Sequence, residues 1–430
     1  MSRLLFLLLA LALPAGCAKA TLAWADLNPA GPAASPDVLE EFQRDPPVRS
    51  AADWRERIPL LQEALEKEVY GTFPDASSTR LIRKRVLNEK AFNGLGVLEE
   101  WTLSATAKFG DHAVETKPFP GQDGFLLEVV LPAAAVGPVP IIIMETFCPS
   151  WEVVPDPAVW RPEDAQDMGG PLGGVMTYVF GRYICTPPFE MILARGYGVV
   201  VLYPTSAPDE RREGLAELRR LSQGYSDDET RWGAVAAWGW LFSRAIDALE
   251  SDPRIDPNGF ITWGHSRYGK AALVAAAWDD RVAAVIAHQS GTGGASLNRE
   301  KKGESVRAIT KTYPHWFAQS YAHYAGREDE MSIDQHMLLA LIAPRPILLG
   351  NARRDVWSDP NGAFRAAMGA DPVYELMGSD GLSQTRLDQW RPGADLAFWL
   401  RPGTHGVVKE DWPAFLEFLD AHIRSPAPDS

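Results

Sequence analysis

The sequence predicts an α/β protein built on a mainly parallel, doubly wound sheet with helices on both faces and loop insertions. Three observations predict it. Short apolar runs recur from residue 139 onward, helical patterns separate them, and a serine stands on the turn between one such run and the helix that follows. Continuous runs of that kind suit strands buried on both faces. Their alternation with helices implies a parallel sheet covered on both sides.

The first element in order is an export signal read at residues 1–20. Arg3 gives a basic start, Leu4 to Leu13 an apolar run, and Ala18-Lys19-Ala20 a small-x-small cleavage site. Pro14-Ala15-Gly16-Cys17 leaves open a lipoprotein acylated at Cys17. Either reading puts the mature chain outside the cytoplasm, secreted or periplasmic. Residues 21–50, rich in Pro, Ala and Asp, read as an arm, and residues 51–426 as one catalytic domain. No later stretch has the roughly 18 uninterrupted apolar residues of a membrane helix.

From Ala51 a helix is expected, with Trp54, Ile58, Leu61, Leu65 and Val69 on one face and Pro74 closing it. Stretches 80–109 and 112–133 alternate like antiparallel strands. The buried strands follow at 139–144, 198–203, 259–263, 282–287, 346–350 and 396–400, with helices at 188–195, 233–251, 269–279, 332–342 and 411–423. Residues 150–187 and 292–331 break the alternation and read as insertions over the sheet edge, where ligand loops belong.

Composition excludes some classes of function. The 42 basic and 56 acidic residues leave a formal charge of −14, against a nucleic-acid partner, whose phosphates call for a basic surface. No Cys/His cluster has zinc spacing, and neither a metal nor a cofactor is called for. Beyond Cys17 the cysteines are Cys148 and Cys185, either a disulfide or two buried thiols.

Ser266 follows the strand at 259–263 and precedes a helix, the setting of a nucleophile elbow and hence of an α/β-hydrolase fold. Gly264 fits the need for a small residue there, although the second glycine of the usual Gly-x-Ser-x-Gly pattern comes one place late, at Gly269. A serine hydroxyl needs a histidine base and a carboxylate to orient it, in the chain order Ser, Asp, His for this fold. His405 lies after the last strand. His422 is inside the final helix, and His315, His323 and His336 come too early. Asp355 is the first carboxylate after the penultimate strand and Asp359 the alternative.

Gly264-His265-Ser266-Arg267-Tyr268-Gly269-Lys270 resembles the Gly-Cys/His-Ser-Arg-x-Gly-Lys elbow of the glucuronoyl esterases, carbohydrate esterase family 15. The blocks at 194–198, 313–317, 334–346 and 401–405 with Asp411-Trp412 resemble its bacterial branch. The resemblance implies cleavage of the ester between 4-O-methyl-glucuronate on xylan and lignin alcohols. It implies Ser266 as nucleophile, His405 as base, Arg267 as oxyanion stabiliser, and Lys270, Glu304 and Trp357 around the uronate sugar. The implied partner is glucuronoxylan or a lignin–carbohydrate ester.

The sequence departs from the family at two places. Fungal members carry a glutamate 23 residues after the serine; Gln289 stands there here, so the acid role passes to Asp355. Tyr203-Pro204-Thr205-Ser206-Ala207-Pro208 does not follow the Asp-rich loop of the bacterial branch. Rival readings are an acetylxylan or other carbohydrate deacetylase with the same triad, and a polysaccharide-binding homologue without turnover. A serine peptidase is a remoter third.

Overall fold

The computed structural model describes residues 47–423 apart from 120, 164, 166–172 and 206. The export segment with Cys17, and nearly all of the arm read at 21–50, lie outside the described residues.

Helix α1 (Ala51–Leu65) opens at Ser50, whose side chain accepts the Asp53 N–H at 3.2 Å. It widens into a single π-turn (Glu66–Tyr70) and stops at Gly71, not at Pro74 as its sequence suggests. Gly71 has φ +82°, and a Cβ there would lie 2.3 Å from the Trp232 backbone, so the chain turns where only glycine fits.

Ten strands form one sheet. Strands β1 (Ala76–Lys90), β2 (Gly96–Phe109), β3 (His112–Glu115) and β4 (Phe125–Pro132) are antiparallel, as their alternating patterns predict. Strands β5 (Val139–Glu145), β6 (Gly198–Leu202), β7 (Ile255–His265), β8 (Val282–His288), β9 (Ile347–Ala352) and β10 (Leu396–Arg401) are parallel and run in the order β6-β5-β7-β8-β9-β10; β6 joins them to β4. Each apolar run of the sequence is one of these six. All six end at one edge of the sheet, which gathers the loops after β7, β8, β9 and β10.

Both faces are covered, which is why the runs are continuous. Ile141, Ile143, Val200, Val285 and Leu349 pack beneath α3 (Ala234–Leu249), α4 (Arg267–Trp278) and α5 (Pro360–Leu376). Ile142, Met144, Ile261, Trp263, Ile286 and Leu348 pack on Trp412, Phe415 and Leu419 of α6 (Asp411–His422) and on the helix Phe189–Ala194. Each such side chain contributes roughly 1.5–3 kcal/mol on burial.

Four segments differ from expectation. Helix α5 was not foreseen, because Gly362, Gly369 and Pro372 break its pattern; its Ala363, Phe364, Ala367, Ala370 and Val373 nevertheless make a buried stripe. Neither was α2 (Arg211–Leu221), which shows the core only Leu218 and Leu221 among its apolar residues. The 292–331 insertion contains the helices Val306–Thr312 and Gln319–His323, and the 150–187 insertion the helices Ser150–Val153 and Gly173–Phe180.

Cys148 and Cys185 form a disulfide with Cα atoms 5.4 Å apart, closing much of the 150–187 insertion into a hoop. In the chain-entropy account a loop of that length contributes about 4 kcal/mol. No helix among the described residues is long and apolar enough to cross a membrane.

Candidate active site

Ser266 sits between β7 and α4 with φ 57° and ψ −120°, a conformation that costs a non-glycine residue on the order of 1–3 kcal/mol. Its neighbours hold it there. The Ser266 N–H donates to the His288 carbonyl at 2.8 Å, and the Ser266 carbonyl accepts the Gly269 N–H at 3.0 Å. Strand and helix cross at two glycines. A Cβ on Gly264 would lie 2.0 Å from the Tyr268 carbonyl oxygen, and one on Gly269 would lie 3.0 Å from that of Gly264. The late second glycine is therefore the residue on which the helix touches the strand. The first N–H groups of α4 have no intrahelical acceptor and bring the positive end of the helix to the serine.

His405 lies on the loop after β10. Its Nδ1 is 2.7 Å from Oδ2 of Asp355, on the loop after β9, and Asp355 is buried while the imidazole is partly open. The carboxylate makes Nδ1 the donor, which leaves Nε2 as the free base. Ser358 steadies the pair: its N–H donates to Asp355 Oδ1 at 3.3 Å and its hydroxyl is 3.4 Å from Nδ1. Asp359 is elsewhere. It caps α5, accepting the Gly362 N–H at 3.0 Å, in a left-handed conformation. His315 meets the Asp209 carbonyl and His422 those of Pro392 and Ala394, while His336 is buried.

Gln289 has a place that sequence reasoning did not give it. Buried, and itself at φ 50°, it accepts the Gly406 N–H at 2.9 Å and donates to the Thr404 carbonyl at 3.3 Å. One amide thus clasps the backbone on both sides of His405. Arg401, anchored by Asp411, donates to the carbonyls of Thr404 and Gly406 at 3.2 and 2.6 Å. From the disulfide-closed insertion, the Phe180 carbonyl accepts the Val407 N–H at 2.7 Å and the Tyr183 N–H donates to the Val407 carbonyl at 3.0 Å.

Two further imidazoles lie behind His405. The His265 ring is 4.6 Å from that of His405, and its Nδ1 is 3.2 Å from His288 Nδ1. Burial holds both well below the usual histidine range, so they stay neutral and share one hydrogen between their Nδ1 atoms. Their signal in the sequence was register: His265 and His288 end adjacent parallel strands and face each other.

The remaining predicted residues collect at the same edge. Lys270 is buried and donates to the carbonyls of Ser290 and, at 2.6 Å, Thr292. Burial pulls its ammonium down to about 8, opposed by the Glu304 carboxylate. Burial raises Glu304 in turn, against the cations of Lys270 and Lys301 and a hydrogen bond with Trp357. Trp357 is 58% exposed, and its carbonyl accepts the Glu304 N–H at 2.9 Å. Arg267 pairs with Asp209 on the wall of a cleft of about 700 Å³ that Phe147, Tyr203 and Tyr268 also line. Among the described residues, Cys148, Glu152 and Cys185 converge as a metal could require, but the two sulfurs are bonded to each other and one carboxylate is left.

Known proteins resemble this chain. A family model described as fungal glucuronyl esterase matches residues 220–378. A carbohydrate esterase from an unidentified prokaryote is 34% identical over 397 residues, covering 88% of each chain. A glucuronoyl esterase structure from Solibacter usitatus superposes with a TM-score of 0.72 at 32% identity, covering 90% of this chain and 97% of that one. The chain belongs to carbohydrate esterase family 15, the glucuronoyl esterases.

As a glucuronoyl esterase the chain is a carboxylic ester hydrolase on the α/β-hydrolase fold. The fungal relatives match less of it: a 4-O-methyl-glucuronoyl methylesterase of Schizophyllum commune is 37% identical over 219 residues, 45% of this chain and 56% of the relative. Within this glucuronoyl esterase, the residue that follows β8 is the Gln289 amide, and the carboxylate against His405 belongs to Asp355.

Proposed function

We propose that the protein is an exported serine esterase that cleaves the ester between 4-O-methyl-glucuronate side chains of xylan and lignin alcohols. The observation that carries the reading is the 2.7 Å contact of His405 with the buried Asp355, at the sheet edge where Ser266 occupies a strained elbow. The export part rests on the charge and apolar pattern of residues 1–20.

The chemistry is two-step acyl transfer. Ser266 Oγ attacks the uronate carbonyl carbon while His405 Nε2 takes its proton, and Asp355 fixes the tautomer and offsets the imidazolium charge. The oxyanion meets the backbone N–H and guanidinium of Arg267. His405 then protonates the leaving alcohol oxygen. Water, deprotonated by His405, attacks the acyl carbon, and Ser266 leaves with the proton. Lys270, Glu304 and Trp357 hold the sugar. An ammonium has three donors and Lys270 commits two to backbone carbonyls, so one is available to a sugar hydroxyl. Trp357 offers an exposed ring to a sugar face.

The test is hydrolysis of benzyl glucuronate beside acetylated xylan, with organophosphonate labelling. Release of benzyl alcohol and labelling at Ser266 are expected. Deacetylation alone would select the deacetylase reading, and binding of glucuronoxylan without labelling the non-catalytic one.

A further inference from the structure

We infer that Asp209 is a positioning residue for Arg267, fixing the guanidinium at the rim of the cleft so that it meets the oxyanion already aimed. The inference rests on the proposed role of Arg267.

The guanidinium is held from four segments of the chain. Its carbon lies 4.9 Å from the ring centre of Phe147, after β5, and 5.5 Å from that of Trp316, in the 292–331 insertion. The ring of Tyr268, on α4, is 5.7 Å away. Aromatic faces attract a cation but leave it free to slide and turn. The directional contact is the carboxylate of Asp209, between β6 and α2, which pairs with Arg267 Nη1.

Asp209 is itself pinned. Its Oδ1 accepts Trp316 Nε1–H at 3.0 Å, and its backbone carbonyl faces His315 Nε2 at 2.8 Å. The Ala234 and Val235 N–H groups, at the start of α3, donate to the carbonyls of His315 and Trp316 at 2.9 and 3.0 Å. The carboxylate is thus a fixed counter-ion tied through the insertion to the core, not a surface charge that happens to be near.

Two effects of that charge oppose each other. A carboxylate beside the arginine weakens the field felt by an oxyanion. It also removes the rotational freedom of a long side chain, and electrostatic stabilisation depends on dipoles and charges that need not reorganise during the reaction. Arginine has five donors in a rigid fork, so committing one edge to Asp209 leaves others for the substrate. With the carboxylate tethered at both its side chain and its backbone, orientation outweighs attenuation.

A double-mutant cycle tests this. Asp209→Asn keeps an oxygen for Trp316 but removes the charge that grips Arg267. With benzyl glucuronate as substrate, Asp209→Asn should lower kcat about ten- to a hundredfold with little change in KM, the scale expected for a misplaced group. In an Arg267→Ala background the same substitution should cost nothing more. Equal losses in both backgrounds would mean a structural role, and full kcat in Asp209→Asn alone would leave only attenuation; either overturns the inference while Arg267 keeps its role. Full kcat in Arg267→Ala would instead remove the role of Arg267 and the inference with it. Should Asp209→Asn unfold, Trp316→Phe, which cuts one tether, carries the same expectation: a loss seen only when Arg267 is present.

Discussion

The turn at Ser266 and the loop at His405 are placed by opposite means. Ser266 is fixed mostly within its own neighbourhood, by two glycines five residues apart and a helix that starts at once, with one bond from its N–H to the His288 carbonyl on the next strand. The loop of His405 has two positive-φ glycines of its own, Gly403 and Gly406, but no helix that starts at the histidine. It is held from outside by Gln289 after β8, Asp355 after β9, the side chain of Arg401, and Phe180 and Tyr183 of the disulfide-closed insertion. The turn is thus written largely in a short stretch of sequence, whereas the position of His405 is written across more than two hundred residues. Damage to the first should be abrupt, and damage to the second graded.

The largest expected effect is at the turn. Ser266→Ala should lower kcat by about a millionfold, with an unchanged unfolding midpoint, as in other triads. Asp355→Asn keeps the shape of the distal loop but offers Nδ1 no charge, and a loss of about ten thousandfold is expected. Asp359→Asn should leave kcat alone; equal losses for the two aspartates would remove the contrast between a catalytic carboxylate and a helix cap. Gln289→Ala opens the clasp around His405. A ten- to hundredfold fall in kcat is expected, on the scale of a misplaced catalytic group; no fall would mean that Arg401 and the insertion suffice.

The smallest effect concerns pH. Burial disfavours the charged form of Lys270, so its proton leaves at about 8, well below the usual lysine range. The KM for a uronate ester should therefore rise a few-fold as pH climbs through 8, and Lys270→Met should abolish the rise. The sign for folding is the reverse. A buried ammonium with a lowered pKa costs stability in full below 8, and that cost is relieved as the pH rises toward the value of a free lysine.

How much could be read in advance follows the same division. The strand-to-helix turn at Ser266 and all six parallel strands were legible because each depends on residues close in sequence. Helix α5 was obscured by Gly369 and Pro372, although its apolar stripe was present. The clasp of Gln289 and the pairing of His265 with His288 were not found, since each needs the register of neighbouring strands. Asp209 left no trace at all: its meaning arises only where a loop, an insertion and a helix start meet around one guanidinium.

Because β8, β9 and β10 end side by side, the imidazole of His405 has two strand ends for neighbours, one bearing an amide and the other a carboxylate. The amide grips the loop and the carboxylate supplies the charge, so the two strand ends divide between them the holding and the polarising of one imidazole.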